Sequence, residues 1–138
     1  MADSQLYENP LITRYASREM AGLWSTHNRT ILWRRLWIVL AECERELGLP
    51  ITAEQITELK AFADQPNLEV AAAHERRLRH DVMAHIHAYG EQAPGARAII
   101  HWGATSCFVT DNADLMLMRD ALNMIARRLG HAIIALAD

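Results

Sequence analysis

Between Ser25 and Leu47 the apolar residues Leu32, Leu36, Leu40, Cys43 and Leu47 recur every three or four positions. That is the period of one helical face, so the spacing predicts a helix from Ser25 or Thr26 to Leu47. Gly48 and Pro50 follow it as stop signals. A shorter helix is expected to open near Ser17. Thr52 and Gln55 form a T-x-x-Q capping box, which starts a third helix reaching about Ala63. Gln65-Pro66-Asn67 breaks that helix, and Asn67 can cap a fourth through Arg76. His80 to Glu91 reads as a fifth, carrying Val82, Ile86 and Tyr89 inward, with Pro94-Gly95 ending it. A last helix is expected from Asp111 as N-cap, with Asp114 in the first turn where the helix dipole favours an anion. Along it Leu115, Met118, Leu122, Ile125, Leu129, Ala132 and Leu136 form a heptad-like seam with no stop signal after it. An apolar stripe of that length needs a partner. Residues 1–16 read as an extended arm, and the link from about Gln92 to Val109 as irregular. No stretch alternates usefully with period two, so the expected class is all-α.

The 138 residues suffice for one domain with a core. Half are apolar and 22% charged, which excludes a disordered chain. A net charge of -3 gives no footprint for general nucleic-acid binding. A small anionic ligand remains open, because local Arg and His can oppose the global sign. Cys43 and Cys107 read as reduced thiols rather than a disulfide framework. MADSQLYENP lacks the basic and apolar regions of a signal peptide, and ILWRRLWIVLAEC is too short and charged to span a bilayer. The expected compartment is the cytoplasm, with no membrane partner.

Several stretches could carry chemistry. Arg79, His80 and Asp81 share a predicted helix start, where backbone N–H groups favour anions. Arg79 could grip a carboxylate or phosphate, and His80 could donate hydrogen bonds or move protons. The plainer reading has Asp81 capping the helix and its neighbours solvated. Arg14 and Tyr15, ending the arm in LITRYAS, could reach a phosphate, or the Tyr could merely anchor the arm. In HWGATSCFVTDNADL, Thr105 and Ser106 suit either turn chemistry or an anionic ligand. His85 and His87 invite a metal reading, but no Cys or carboxylate completes a set at ligand spacing. Trp24, Trp33 and Trp37 read as core or subunit contacts. Arg34 and Arg35 read as a solvated face, or as partners of Glu42, Glu44 and Glu46.

NPLITRYAS, RRLWIVLAECERELGLPI, RLRHDVMAHIH and IIHWGATSCFVTDNADL, in that order, resemble the N-terminal part of the adenylosuccinate lyase family, within the fumarase/aspartase superfamily. The likeness runs from about Asn9 to the end. RHDVMAH and GATS followed by V-x-D are specific in combination; GATS alone is weak. The resemblance implies an N-terminal helical domain over residues 1–110, with 111–138 as the start of a central helical bundle, cut early. It implies elimination of fumarate from adenylosuccinate, giving AMP, and from the succinylated aminoimidazole carboxamide ribotide, as part of purine nucleotide biosynthesis. No cofactor or metal is implied, and the family assembles as a homotetramer. Thr105 and Ser106 match positions at the succinyl end of the substrate, Arg14 and Tyr15 an arm at the phosphate. Arg79, His80 and Asp81 match a third substrate-contacting stretch, with His80 near the reacting part. The family's general-acid His, in a T-x-H-x-Q segment, and its base Ser, near S-S-x-M-P-x-K-x-N-P, are expected beyond residue 138, so no residue here is assigned a proton-transfer role. A helical interaction module without catalysis, and a His-based metal module, are the competing readings.

Overall fold

The computed structural model describes residues 9–137, and every regular element in them is helical. The part of the expected arm in residues 1–8 lies outside the described residues. The remainder of the arm is not extended: Leu11–Tyr15 forms a five-residue π-helical turn, started by the Asn9 side chain accepting from Leu11 N–H at 3.0 Å. Helix α1 is Arg18–Leu23, capped by the Ser17 hydroxyl. Helix α2 is Thr26–Glu46, capped by Ser25. Helix α3, Ala53–Ala61, opens with the full Thr52–Gln55 capping box. Helix α4, Leu68–Leu78, is capped by Asn67 and runs two residues past the expected end. Helix α5 is Asp81–Gln92, and a short 3-10 turn, Arg97–Ile99, lies in the link after it. Helix α6 is Ser106–Ala137. It starts five residues before the expected Asp111 cap, which therefore sits inside the helix, and the irregular link ends at Thr105. The run CFVTDN has no Gly or Pro to oppose an early start, and Thr110 and Asn112 bond back to the carbonyls of Ser106 and Phe108.

Helix α2 is the centre of the fold, packing against α1, α3 and α6, while α4 and α5 form a closely packed pair. Trp33 and Trp37 are buried on α2 and meet edge to face at 6.4 Å; Trp37 in turn lies against Tyr89 of α5. Such aromatic contacts add to what area burial alone contributes. Trp24 is partly exposed instead. Arg34 corrects the sequence reading. It is 1% exposed, not solvated. Its position, three before Trp37 and four before Ile38, puts it on the inward face. There it donates to the carbonyls of Phe62 and Gln65 and to Gln92 Oε1, and its guanidinium lies 4.1 Å from the Tyr89 ring centre. Burial pushes its pKa down to about 10, still cationic at neutral pH. Buried arginine is tolerated because carbonyl acceptors and a ring face replace water. Arg35 does point outward, but pairs with Asp64 at 3.0 Å rather than with an acid of its own helix.

Helix α6 packs on α2 and on α1, and its buried residues are Val109, Ala113, Leu117, Ala121 and Met124. The heptad-like seam is a different face. Leu122 is 65% exposed, Leu129 59% and Leu136 87%. None of the helices is long and apolar enough to cross a membrane among the described residues.

Candidate functional site

The RHD stretch is a tight pivot between two packed helices. Arg79 ends α4 in the left-handed region, φ 54° and ψ 36°, and His80 is extended. A non-glycine residue there is uncommon and costs about 1–3 kcal/mol, so the surrounding structure must hold it. The helix cap is His80, not Asp81: its Nδ1 accepts from Met83 N–H at 3.4 Å. Asp81 shares the work, since its Oδ1 accepts from Val82 N–H at 2.7 Å. His80 Nδ1 also lies 3.6 Å from Asp81 Oδ1. A neutral ring accepts from the backbone; a protonated one would donate to the carboxylate instead.

The second segment is the turn before α6. His101 and Gly103 both take positive φ, 67° and 68°, so two left-handed residues in three swing the chain toward Ser106. At Gly103 the choice is doubly constrained, because a Cβ would also stand 3.3 Å from Glu44 Oε1. Glu44 is buried beneath this turn, its Oε2 has no hydrogen-bond partner among the described residues, and burial raises its carboxyl pKa. His101 is held by Trp37, whose Nε1–H donates to Nδ1 at 2.9 Å. Burial lowers the His101 pKa, and nearby His80 lowers it further.

The pivot and the turn meet. Ser106 Oγ lies 3.4 Å from His80 Nε2, across 26 residues of sequence. Thr105 is beside Ser106, and Arg79, His80 and Asp81 are all open to solvent. Five of the seven sequence-derived residues are thus drawn into one patch, at the starts of α5 and α6. Arg14 and Tyr15 are both exposed on the π-helical turn, and among the described residues no hydrogen bond joins them to the patch. His101 was missed by the sequence reading. Its signal was present in IIHWGATS, a His two residues before the Gly of a polar turn, but only the fold reveals its backbone state and its indole partner.

Asp81 also lines a cavity of about 210 Å³ with Arg29, Trp33, Glu75 and His85. His85 packs edge-on against Trp33, with its pKa lowered first by burial and then by Arg34. His87 stacks on His74 instead, 5.2 Å apart. Among the described residues no group of three His, Cys, Asp or Glu could hold a metal ion. The patch therefore offers hydrogen-bond donors, two adjacent hydroxyls and a cationic Arg79. It suits recognition of an anionic, oxygen-rich ligand.

No family profile matches the chain. Individual proteins do. It is 49% identical over 137 residues to adenylosuccinate lyase of Schistosoma mansoni, covering 99% of this chain and 28% of that protein. It is 52% identical over 136 residues to the enzyme of Schizosaccharomyces pombe, covering 96% and 28%. For Saccharomyces cerevisiae the figures are 49% over 140 residues, covering 99% and 29%. The chain belongs to the adenylosuccinate lyase family, of whose curated members it spans little more than a quarter of the length.

Proposed function

We propose that this chain is the substrate-binding N-terminal portion of an adenylosuccinate lyase, a C–N lyase of purine nucleotide synthesis. Its substrates would be adenylosuccinate and the succinylated aminoimidazole carboxamide ribotide, each losing fumarate. The observation that carries the reading is the meeting of His80 Nε2 and Ser106 Oγ at 3.4 Å, with left-handed Arg79 and His101 on either side. Backbone strain of this kind collects at ligand sites.

In an anti elimination a base removes the proton beside a carboxylate and an acid protonates the departing nitrogen. In this reading neither group belongs to this chain. Ser106 and Thr105 would donate hydrogen bonds to the succinyl carboxylate as charge builds on it, where preorganised donors are most effective. His80, fixed by its Met83 bond, would present Nε2 to the reacting end. Arg79 would add charge, with Asp81 holding the His80 ring. Arg14 and Tyr15 would close on the phosphate from an arm that is not part of the patch here.

Residues 1–110 would form the N-terminal domain and 111–138 the first turns of a helical bundle shared between copies, a tetramer as in the rest of the family. Support comes from the outward seam of α6, which is long, apolar and exposed.

The test is a graft. This chain replaces the matching stretch of the Saccharomyces cerevisiae enzyme, and fumarate release from adenylosuccinate is measured. The graft should turn over, and the isolated chain should not. Ser106→Ala and His80→Ala in the graft should each lower kcat/KM by about 10²–10³. Arg14→Ala should mainly raise KM, because a remote phosphate is bound alike in ground and transition states. A folded graft without activity, or full activity in both patch variants, would refute the assignment.

A further inference from the structure

Trp37 reads as core in the sequence, and its ring is 1% exposed. Yet its one polar atom is committed to the patch. An indole N–H can only donate. Its acceptor is His101 Nδ1, at 2.9 Å. A neutral imidazole accepting at Nδ1 must carry its proton on Nε2. A protonated ring would set one N–H against another, so protonation and this bond exclude each other. We propose that Trp37 is a positioning residue, holding His101 as the neutral Nε2–H tautomer so that a fixed donor stands beside the His80–Ser106 pair. The purpose of that donor rests on the substrate-site reading above; the tautomer does not.

Three observations support the assignment. The indole cannot easily swing away, being packed edge-on against Trp33 and tilted against Tyr89. The imidazole is equally confined: it meets the indole nearly perpendicular, at 83° with centres 6.0 Å apart, on a backbone in the left-handed region. A bulky residue in that state persists only where its surroundings over-determine it. The charges that face the ring also favour its neutral form. His80 on α5 opposes a second positive charge. Glu44 on α2 lies beneath Gly103, and the His101 shift is set by burial and by His80.

A purely structural bond, one that only satisfies a buried indole, would leave the chemistry of the patch unchanged when removed. The two roles separate by experiment. In ¹⁵N-histidine-labelled chain, the His101 resonances, assigned by their loss in His101→Gln, should show an unprotonated Nδ1 and a protonated Nε2. Their titration midpoint should lie below the ordinary histidine value. Trp37→Phe keeps an aromatic ring and deletes the donor. It should mix the tautomers and raise the midpoint by about half a unit to one unit, the equivalent of one neutral hydrogen bond. In the graft, Trp37→Phe should lower kcat/KM and move its acid limb to higher pH. Tyr89→Phe, a change in the same aromatic cluster, should leave that limb in place. If Trp37→Phe does not fold, the wild-type tautomer decides. An Nδ1–H tautomer, or a midpoint that Trp37→Phe leaves unmoved, would overturn the proposal. The expected tautomer in an inactive graft would instead refute the lyase reading while leaving the indole–imidazole coupling intact.

Discussion

Helix α6 has two apolar faces that differ in what they touch. One, made by Val109, Ala113, Leu117, Ala121 and Met124, is buried against the domain. The other, made by Leu115, Met118, Leu122, Ile125 and Leu129, is exposed. At 100° per residue the two lie roughly 130° apart on the helix. The inward face alternates small with larger residues, which lets α6 sit close on α2. The outward face is built from large residues at coiled-coil spacing and, among the described residues, is left exposed. Covering it would stabilise an assembly by about 25 cal/mol per Å² of apolar surface removed from water. The inward face is thus the part of α6 that folds the domain, and the outward face the part left open to a partner.

That division gives unequal expectations for substitutions a turn apart. The largest concerns Leu117, which has no solvent exposure. Leu117→Ala should cost about 2–5 kcal/mol, read from a urea midpoint that shifts without a change in slope. A loss below about 0.5 kcal/mol would mean that α6 does not pack on α2 as described. Next is Ala113→Leu, which puts a larger side chain into the same buried face. Overpacking should destabilise by about 1–3 kcal/mol in thermal unfolding. A neutral or stabilising result would show a loose interface.

The sequence disclosed the helices far better than it disclosed their partners. Caps at Thr52 and Asn67 are local chemistry and were legible as such, while at Ser17 and Ser25 only the approximate helix starts were legible. The seam on α6 was legible too, but as the only apolar face, because large residues dominate a periodicity count. The inward face contains Ala113 and Ala121, whose role depends on how near α2 comes. Arg34 was misread for a related reason: its type says surface, while its position opposite Tyr89 and the carbonyls after α3 says interior. In the site, residue types and the resemblance marked Arg79, His80, Asp81, Thr105 and Ser106. They did not mark His101, whose meaning comes from a left-handed backbone and from Trp37, 64 residues away.

A smaller effect should appear with pH. His85 and His101 are both held below the usual histidine pKa, in each case first by burial. The folded chain therefore takes up protons less readily than the unfolded one. Stability should be full above the unfolded value of about 6.5 and fall as pH drops through it toward the folded pKa values. Glu44 is shifted upward, so its contribution is lost as pH rises from about 4.5, and it acts mainly in a lower window. Urea midpoints at pH 8 and pH 6 should differ by on the order of 1 kcal/mol, in favour of pH 8, allowing for the partial exposure of His101. Equal midpoints in wild type and His85→Gln would contradict the placement of these rings.

The outward face should matter least to the stability of the domain and most to its company. Leu122→Gln, Ile125→Gln and Leu129→Gln should each change folding stability by no more than about 0.5 kcal/mol, since exposed positions cost little. The direct measurement is sedimentation equilibrium of the purified chain beside the variant carrying all three changes, over a wide concentration range. The wild-type chain should be larger than a monomer, with mass rising with concentration, and the variant folded and monomeric. A wild-type chain that stays monomeric and fully helical at every concentration would contradict the division of α6 into a folding face and a partner face, as would a variant that associates as strongly as the wild type.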